Sequence, residues 1–245
     1  MKNVIRAEIF KLRRSWTTWI ALLVVLVFPF IALGMTSLTN HQVLEGETQM
    51  LLLVRQNHIF LSMLICNLLF VMIGAHIFSK EFQFNVLADI IAVPVSRVKL
   101  FWAKEVVLFA WFISLSIVSY LTCIGIGFVF QLEGLEWSLI SFSFWRYLVS
   151  VLISFVPLQM ILWITIQFRN YFVALAVAVV ALVGEIVAFN TTDFIFYYPF
   201  SINFVLTNFV EKISVTQFFT SLMVLIGLLA VFIPMSLLRF NRMDI

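Results

Sequence analysis

YFVALAVAVVALVGEIVAF, residues 171–189, carries one charge, Glu185, in nineteen positions. A helix needs about 20 apolar residues to cross a bilayer's hydrocarbon core, and this run supplies them. It must be helical there, because lipid offers no partner to free backbone groups. Working outward, Gln167, Phe168, Arg169 and Asn170 form a short hairpin to a preceding apolar run, Phe144 to Ile166. Four more runs have the required length: residues 17–36, Ile59 to Phe78, Val106 to Phe130 and Gln217 to Leu238. The expected fold is an all-α integral membrane protein with six transmembrane helices in a single membrane domain spanning 1–245.

Composition agrees. Hydrophobic residues make up 63% of the chain and charged ones 11%, against roughly 45–50% and about 25% in soluble domains. Mean hydropathy is +1.11. A soluble globule of 245 residues could not hide that much apolar surface. This excludes an ordinary soluble domain, a disordered chain and a nucleic-acid binder. Cys66 and Cys123 both fall inside apolar runs and suggest no disulfide scaffold.

Charge placement sets the orientation. Twelve of the fifteen basic residues flank one side of the membrane: Lys2, Arg6, Lys11, Arg13, Arg14, Lys80, Arg97, Lys99, Lys104, Arg169, Arg239 and Arg242. Arg55, Arg146 and Lys212 fall on the other. The positive-inside rule then puts both termini in the cytoplasm. A signal-peptide reading of the N-terminus, ending at Ala32-Leu33-Gly34, is disfavoured because the apolar run is too long and five more spans follow.

Residues 1–16 have a different pattern. Ile5, Ile9, Leu12 and Trp16 share a face at helical spacing, flanked by Lys2, Arg6 and Arg13. This suits an amphipathic helix in the headgroup plane facing anionic membrane lipid, the alternative being a plain extension of span one into the cytoplasm. The longest inner loop covers 79–99. In it, Phe82, Val86 and Ile90 share a face, Pro94 ends the helix after Val93, and Ser96 is placed to cap the next one. Its apolar face needs a cover: headgroups, the protein's own helices, or a soluble partner.

The outer segment 190–216 is crowded with aromatic residues, from Phe194 to Phe209 around Pro199. It reads either as an interfacial aromatic belt or as short re-entrant helices shielded by protein. Few polar residues lie inside the spans: Asn67, His76, Gln159 and Glu185. An intramembrane glutamate usually faces a bundle interior or cavity, though Glu185 is near enough to the boundary to snorkel. Met63, Asn67, Phe70 and Gly74 recur at i, i+4, i+7 and i+11 and share one helical face, suited to close packing or to a substrate path. The histidines lack ligand spacing, so no metal site is read. Pro29, Pro157 and Pro234 are expected to kink their spans.

The stretch Glu8-Ile9-Phe10-Lys11-Leu12-Arg13-Arg14, the six spans, Glu81 after span two and the downstream Pro94-Val95-Ser96-Arg97 together resemble the permease subunits of type-2 ABC exporters. The resemblance is nearest to the small bacterial permeases of peptide-antibiotic export and immunity systems. Many relatives carry Gly-Thr shortly after the glutamate, where this chain has Phe84-Asn85-Val86. The resemblance implies a coupling helix holding Glu81, Phe82, Val86, Ile90 and Arg97 in a groove of a cytoplasmic ABC ATPase subunit, beside an interfacial helix bearing Glu8, Phe10, Lys11 and Arg13. It implies a second permease copy or homologue around a central path. That path would be lined by spans two and five, hence Met63, Asn67, Phe70, Gly74 and Glu185. The substrate class would be an amphipathic peptide or lipid-like molecule. None of the eight glycines precedes a lysine, so the chain has no phosphate-cradling loop. ATP and Mg would therefore bind the partner ATPase, and this chain would hold no cofactor. A membrane-embedded enzyme or a membrane anchor or sensor of a regulatory complex are the alternatives. An enzyme would need converging acids, histidines or a nucleophile, yet Glu185 and His76 fall near opposite faces.

Cysteines introduced at positions 46 and 134 should be labelled from outside the cell, and one at position 83 only from inside. Outside labelling at 83 would overturn the orientation.

Overall fold

The computed structural model describes residues 2–39, 48–83, 96–191, 194–208 and 213–241. Six helices are long and apolar enough to cross a membrane, and no strand occurs among the described residues. Helix α1 (Lys2–Arg13) precedes α2 (Trp16–Thr39). The second crossing is α3 (Gln49–Phe60), a π-helical stretch (Leu61–Leu69) and α4 (Phe70–Gln83) in unbroken succession. Then come α5 (Arg97–Val129), α6 (Trp137–Phe168) and α7 (Tyr171–Phe189). A 3₁₀ turn (Phe194–Phe196) and α8 (Ser201–Asn208) lead to α9 (Val215–Asn241).

Several helices outrun the spans read from hydropathy. Helix α5 begins at Arg97 rather than Val106, and α6 at Trp137 rather than Phe144. At 1.5 Å per residue these helices are about 50 Å long, well beyond a hydrocarbon core of about 30 Å. Charged residues therefore mark where lipid ends, not where the helix ends. For the same reason Arg55 and Arg146 lie within α3 and α6 rather than in loops. Ser96 occupies the N-cap position of α5 with extended backbone, but its hydroxyl makes no cap bond. Helix continues through Pro29, Pro157 and Pro234.

The α6–α7 link is tight. Arg169 takes left-handed backbone (φ 52°) and its N–H returns to Thr165 O at 2.9 Å. Asn170 then caps α7 by accepting from the Phe172 N–H at 2.8 Å. Between α5 and α6, Gly134 has φ 91° and lies so close to Thr48 that a Cβ would fall 2.2 Å from its side chain. The Met50 N–H bonds Glu133 O there, fixing the start of the second crossing to this turn.

The core sits where α3–α4, α5 and α6 meet. Phe70 and Phe112 stack with ring centroids 3.7 Å apart, and Phe78, Phe101 and Phe240 pack against one another nearer the chain ends. Helix α7 presents the buried alanines Ala174, Ala178 and Ala181 to this core, allowing the close approach that membrane helices use. Residues 200–205 are largely buried against α6 and α7, so α8 tucks into the bundle.

The stripe on span two is consumed by this packing. Asn67, Phe70 and Gly74 are buried, and a Cβ on Gly74 would meet Leu162 Cδ2 at 2.8 Å and Leu108 Cδ2 at 3.4 Å. Met63 is only half-buried. The regular spacing that joined these four assumed 3.6 residues per turn, and the π-helical stretch winds more slowly, which takes Met63 away from the others. Within the protomer Asn67, Phe70 and Gly74 pack against neighbouring helices. Gly74→Leu should therefore lower folded yield and cost about 1–3 kcal/mol from overpacking, read as a lower melting temperature in detergent. Unchanged stability with lost transport would instead place Gly74 at a path.

Candidate functional site

Helix α1 forms because a run of good helix formers carries apolar residues at helical spacing, and it ends in Lys11 and Arg13, which complement its C-terminal dipole. Its inward face is built on Glu8 and Leu12, 4% and 6% exposed. The expected stripe differs in part: Ile9 and Trp16 are exposed, at 51% and 81%. The helix stops at Arg13, the Ser15 N–H bonds Leu12 O and the Thr18 hydroxyl donates to the same carbonyl. The chain turns there, and Trp16 starts a new helix on another side.

Glu8, expected at a headgroup surface, is instead the centre of a buried ion pair. Lys104 Nζ, 1% exposed, donates to Glu8 Oε2 at 3.0 Å and to the Ile77 carbonyl at 3.0 Å. It also lies 5.8 Å from the centroid of the Phe78 ring. Lys11 Nζ donates to the other carboxylate oxygen, Glu8 Oε1, at 2.6 Å. Phe10 and Arg13 remain on the outer surface of α1. Burial pushes the Glu8 carboxyl up, but the Lys104 charge and the contacts with Lys11 more than offset this and hold it below the usual carboxylate value.

This knot joins three elements: α1, the end of the second crossing through Ile77, and the start of α5. A neighbouring bond adds the α1–α2 junction, where the Ser15 hydroxyl meets His76 Nε2 at 2.8 Å. Arg97 Nη1 donates to the Asn241 carbonyl at 3.0 Å, bringing the end of α9 to the same pole. The chain leaves this pole after Gln83 and returns at Ser96. Both roots of the intervening segment are thus anchored here. Of the expected coupling residues, Arg97 belongs to the pole, and Glu81 and Phe82 lie in the last turn of α4, where only the backbone is described. Val86 and Ile90 lie outside the described residues.

The other expected path residue, Glu185, does not snorkel. It is fully buried and accepts a hydrogen bond from Asn67 Nδ2, tying the fifth crossing to the second. Two polar groupings were not foreseen as sets: Asn57 donates to Tyr147 Oη at 2.7 Å and Ser119 Oγ at 3.2 Å, and Gln159 donates to Glu105 Oε2 at 3.0 Å. The importance of Lys104 was readable in principle. It lies three residues after Phe101 and four before Leu108, on a core face where a lysine needs an anion.

An all-helical protein with six membrane-length helices is a multi-pass membrane protein. A family model described as ABC-2 family transporter protein matches residues 4–187, and the chain belongs to that family. It is also similar to a bacitracin transport permease protein of Bacillus licheniformis, with 22% identity over 134 residues, 55% of this chain. The chain spans 64% of that relative's length. Such permeases are the membrane subunits of transporters and in general work with an ABC ATPase.

Lys104→Met should cost about 3–5 kcal/mol, because it strands a buried carboxylate. Glu8→Gln combined with Lys104→Met should cost less than the sum of the single changes, measured by unfolding in detergent. Because the folded Glu8 carboxyl titrates below its unfolded value, its contribution is present at neutral pH and is lost as pH falls below the ordinary carboxylate range. The double variant should lack that acid-sensitive part.

Proposed function

We propose that the chain is the membrane-spanning permease subunit of an ATP-driven exporter that moves an amphipathic peptide or lipid-like substrate out of a bacterial cell or its membrane. The observation that carries this reading is the buried Glu8–Lys104–Ile77 knot at the pole from which the 84–95 segment leaves and to which it returns. A pull or push on that segment reaches α1, the second crossing and the third together through one rigid junction. A device that converts a partner's motion into helix motion needs such a junction.

In this reading the charged pole faces the cytoplasm, as the basic asymmetry requires. Residues 81–97 dock an ABC ATPase, with Glu81 and Arg97 as polar contacts and Phe82, Val86 and Ile90 as apolar ones. ATP and Mg act on that partner. Two permeases, identical or homologous, pair to form the path. Similarity to a bacitracin permease supports an amphipathic peptide as the substrate class.

Purification of the tagged chain from its native membrane in mild detergent should bring down an ATPase with a phosphate-binding loop, while the isolated chain hydrolyses no ATP. An apolar anchor at such a contact contributes about 2 kcal/mol or more. Glu81→Lys and Phe82→Asp should each release the ATPase while the permease still inserts. Unchanged co-purification with both variants would show that the segment merely lies on lipid.

A further inference from the structure

We propose that a lateral cavity between α5, α6 and α9 binds the ammonium head of a net-cationic amphiphile, with Glu105 as its counter-charge. The cavity has a volume of about 210 Å³ and is lined by Trp102, Glu105, Val106, Phe109, Phe155 and Ile233. Glu105 is 6% exposed. Its Oε2 accepts from Gln159 Nε2 at 3.0 Å, whereas its Oε1 has no hydrogen-bond partner among the described residues. Burying an ionisable acceptor without a donor is costly in an apolar site.

Three aromatic side chains, Trp102, Phe109 and Phe155, line the cavity together with Glu105. Phe109 and Phe155 meet edge-on with centroids 5.1 Å apart, and Trp102 stands at the mouth, 40% exposed. Aromatic faces attract ammonium groups, and more strongly when water is excluded. With the carboxyl turned toward the cavity, an alkylammonium supplies N–H donors for Glu105 Oε1 and a charge that both the carboxylate and the rings favour. Its tail leaves past Trp102 and Val106 onto the outer surface of the bundle, which in a membrane is lipid.

The lining also states what does not fit. Among the described residues it holds one acidic side chain and no basic one. A zwitterionic phospholipid would bring a phosphate against a carboxylate and apolar walls with nothing to pair it. A neutral alcohol would forgo the charge contact. Glu105 follows Lys104 directly in sequence, but at 100° per residue the two point apart, and Lys104 is spent on Glu8 and Ile77. The lining includes no member of the Glu8–Lys104 or Asn67–Glu185 pairs, and the binding argued here does not depend on the transport reading.

The test uses the full chain in a neutral maltoside detergent, with dodecylamine, dodecanol and phosphatidylethanolamine as probes and binding read by native mass spectrometry. Dodecylamine should bind at one site, at least about tenfold more tightly than dodecanol. Glu105→Gln, nearly isosteric, should lower that affinity about tenfold or more. Val106→Trp, which narrows the mouth without touching the carboxylate, should do the same while keeping the unliganded melting temperature. Should Glu105→Gln fail to fold, the Val106→Trp variant decides. Equal binding of amine and alcohol, affinity retained in the folded variants, or preference for phosphatidylethanolamine would each overturn the assignment.

Discussion

Hydrocarbon offers no hydrogen-bond partner, and each polar group left unpaired in it costs several kcal/mol. It also gives helices no hydrophobic reason to associate, since a lipid tail is as apolar as a leucine. Close packing and interhelical hydrogen bonds must then fix which face of each helix turns inward. The polar pairs do this across large sequence distances. Asn57 reaches Tyr147, His58 reaches Ser150 at 2.7 Å, Asn67 reaches Glu185, and Asn203 reaches Ser154 at 2.6 Å. The first three pairs each join two crossings, and the Asn203–Ser154 pair ties α8 to α6. Together with the alanines of α7 and the seat of Gly74 against Leu162, they set the register of the bundle.

The Glu8–Lys104 pair answers a different problem. Helices longer than the hydrocarbon is thick must be held where they emerge, and a surface ion pair there would contribute little. Burial changes that balance. A charge pair that is 4% and 1% exposed is strongly penalised if either partner is lost, so the junction is held together by what its absence would cost. The Ile77 carbonyl completes the lysine's coordination. It also recruits the second crossing, which the two charged side chains alone would leave out.

The six crossings and the all-helical class were legible because runs such as residues 171–189 admit one solution in lipid. The helix ends were not. Lys104 and Glu105 look like a boundary in a hydropathy profile, yet both side chains are buried inside one helix that starts at Arg97. Glu8 looked like part of a charged surface because its partner lies 96 residues away, and no local pattern reports that distance. The stripe of Met63, Asn67, Phe70 and Gly74 packs at three of its four positions, and Met63 departs from it because nine residues of π-helix interrupt the periodicity that defines the shared face. A wider helical turn has no simple residue signature, so facing directions beyond it were unreadable.

The consequence for any substrate is lateral. Where the described interior is packed, as at Phe70 against Phe112, a sizeable molecule cannot pass through one protomer without displacing aromatic side chains. Two open volumes lined by described residues lie on the bundle's flanks instead. One is the cavity beside Glu105. Another, of about 390 Å³, runs between α1, α2 and α5, with Ile5, Leu12, Trp19 and Trp111 on its walls and Arg13 at its rim. In a membrane both would open toward lipid. An amphiphile dissolved in the bilayer would therefore meet this protein from the side, head group first against a charged residue and tail still in lipid. In the proposed transporter that geometry favours capture from the membrane over uptake from the cytoplasm, because the part of the substrate that is costly to move into water never has to leave an apolar surface.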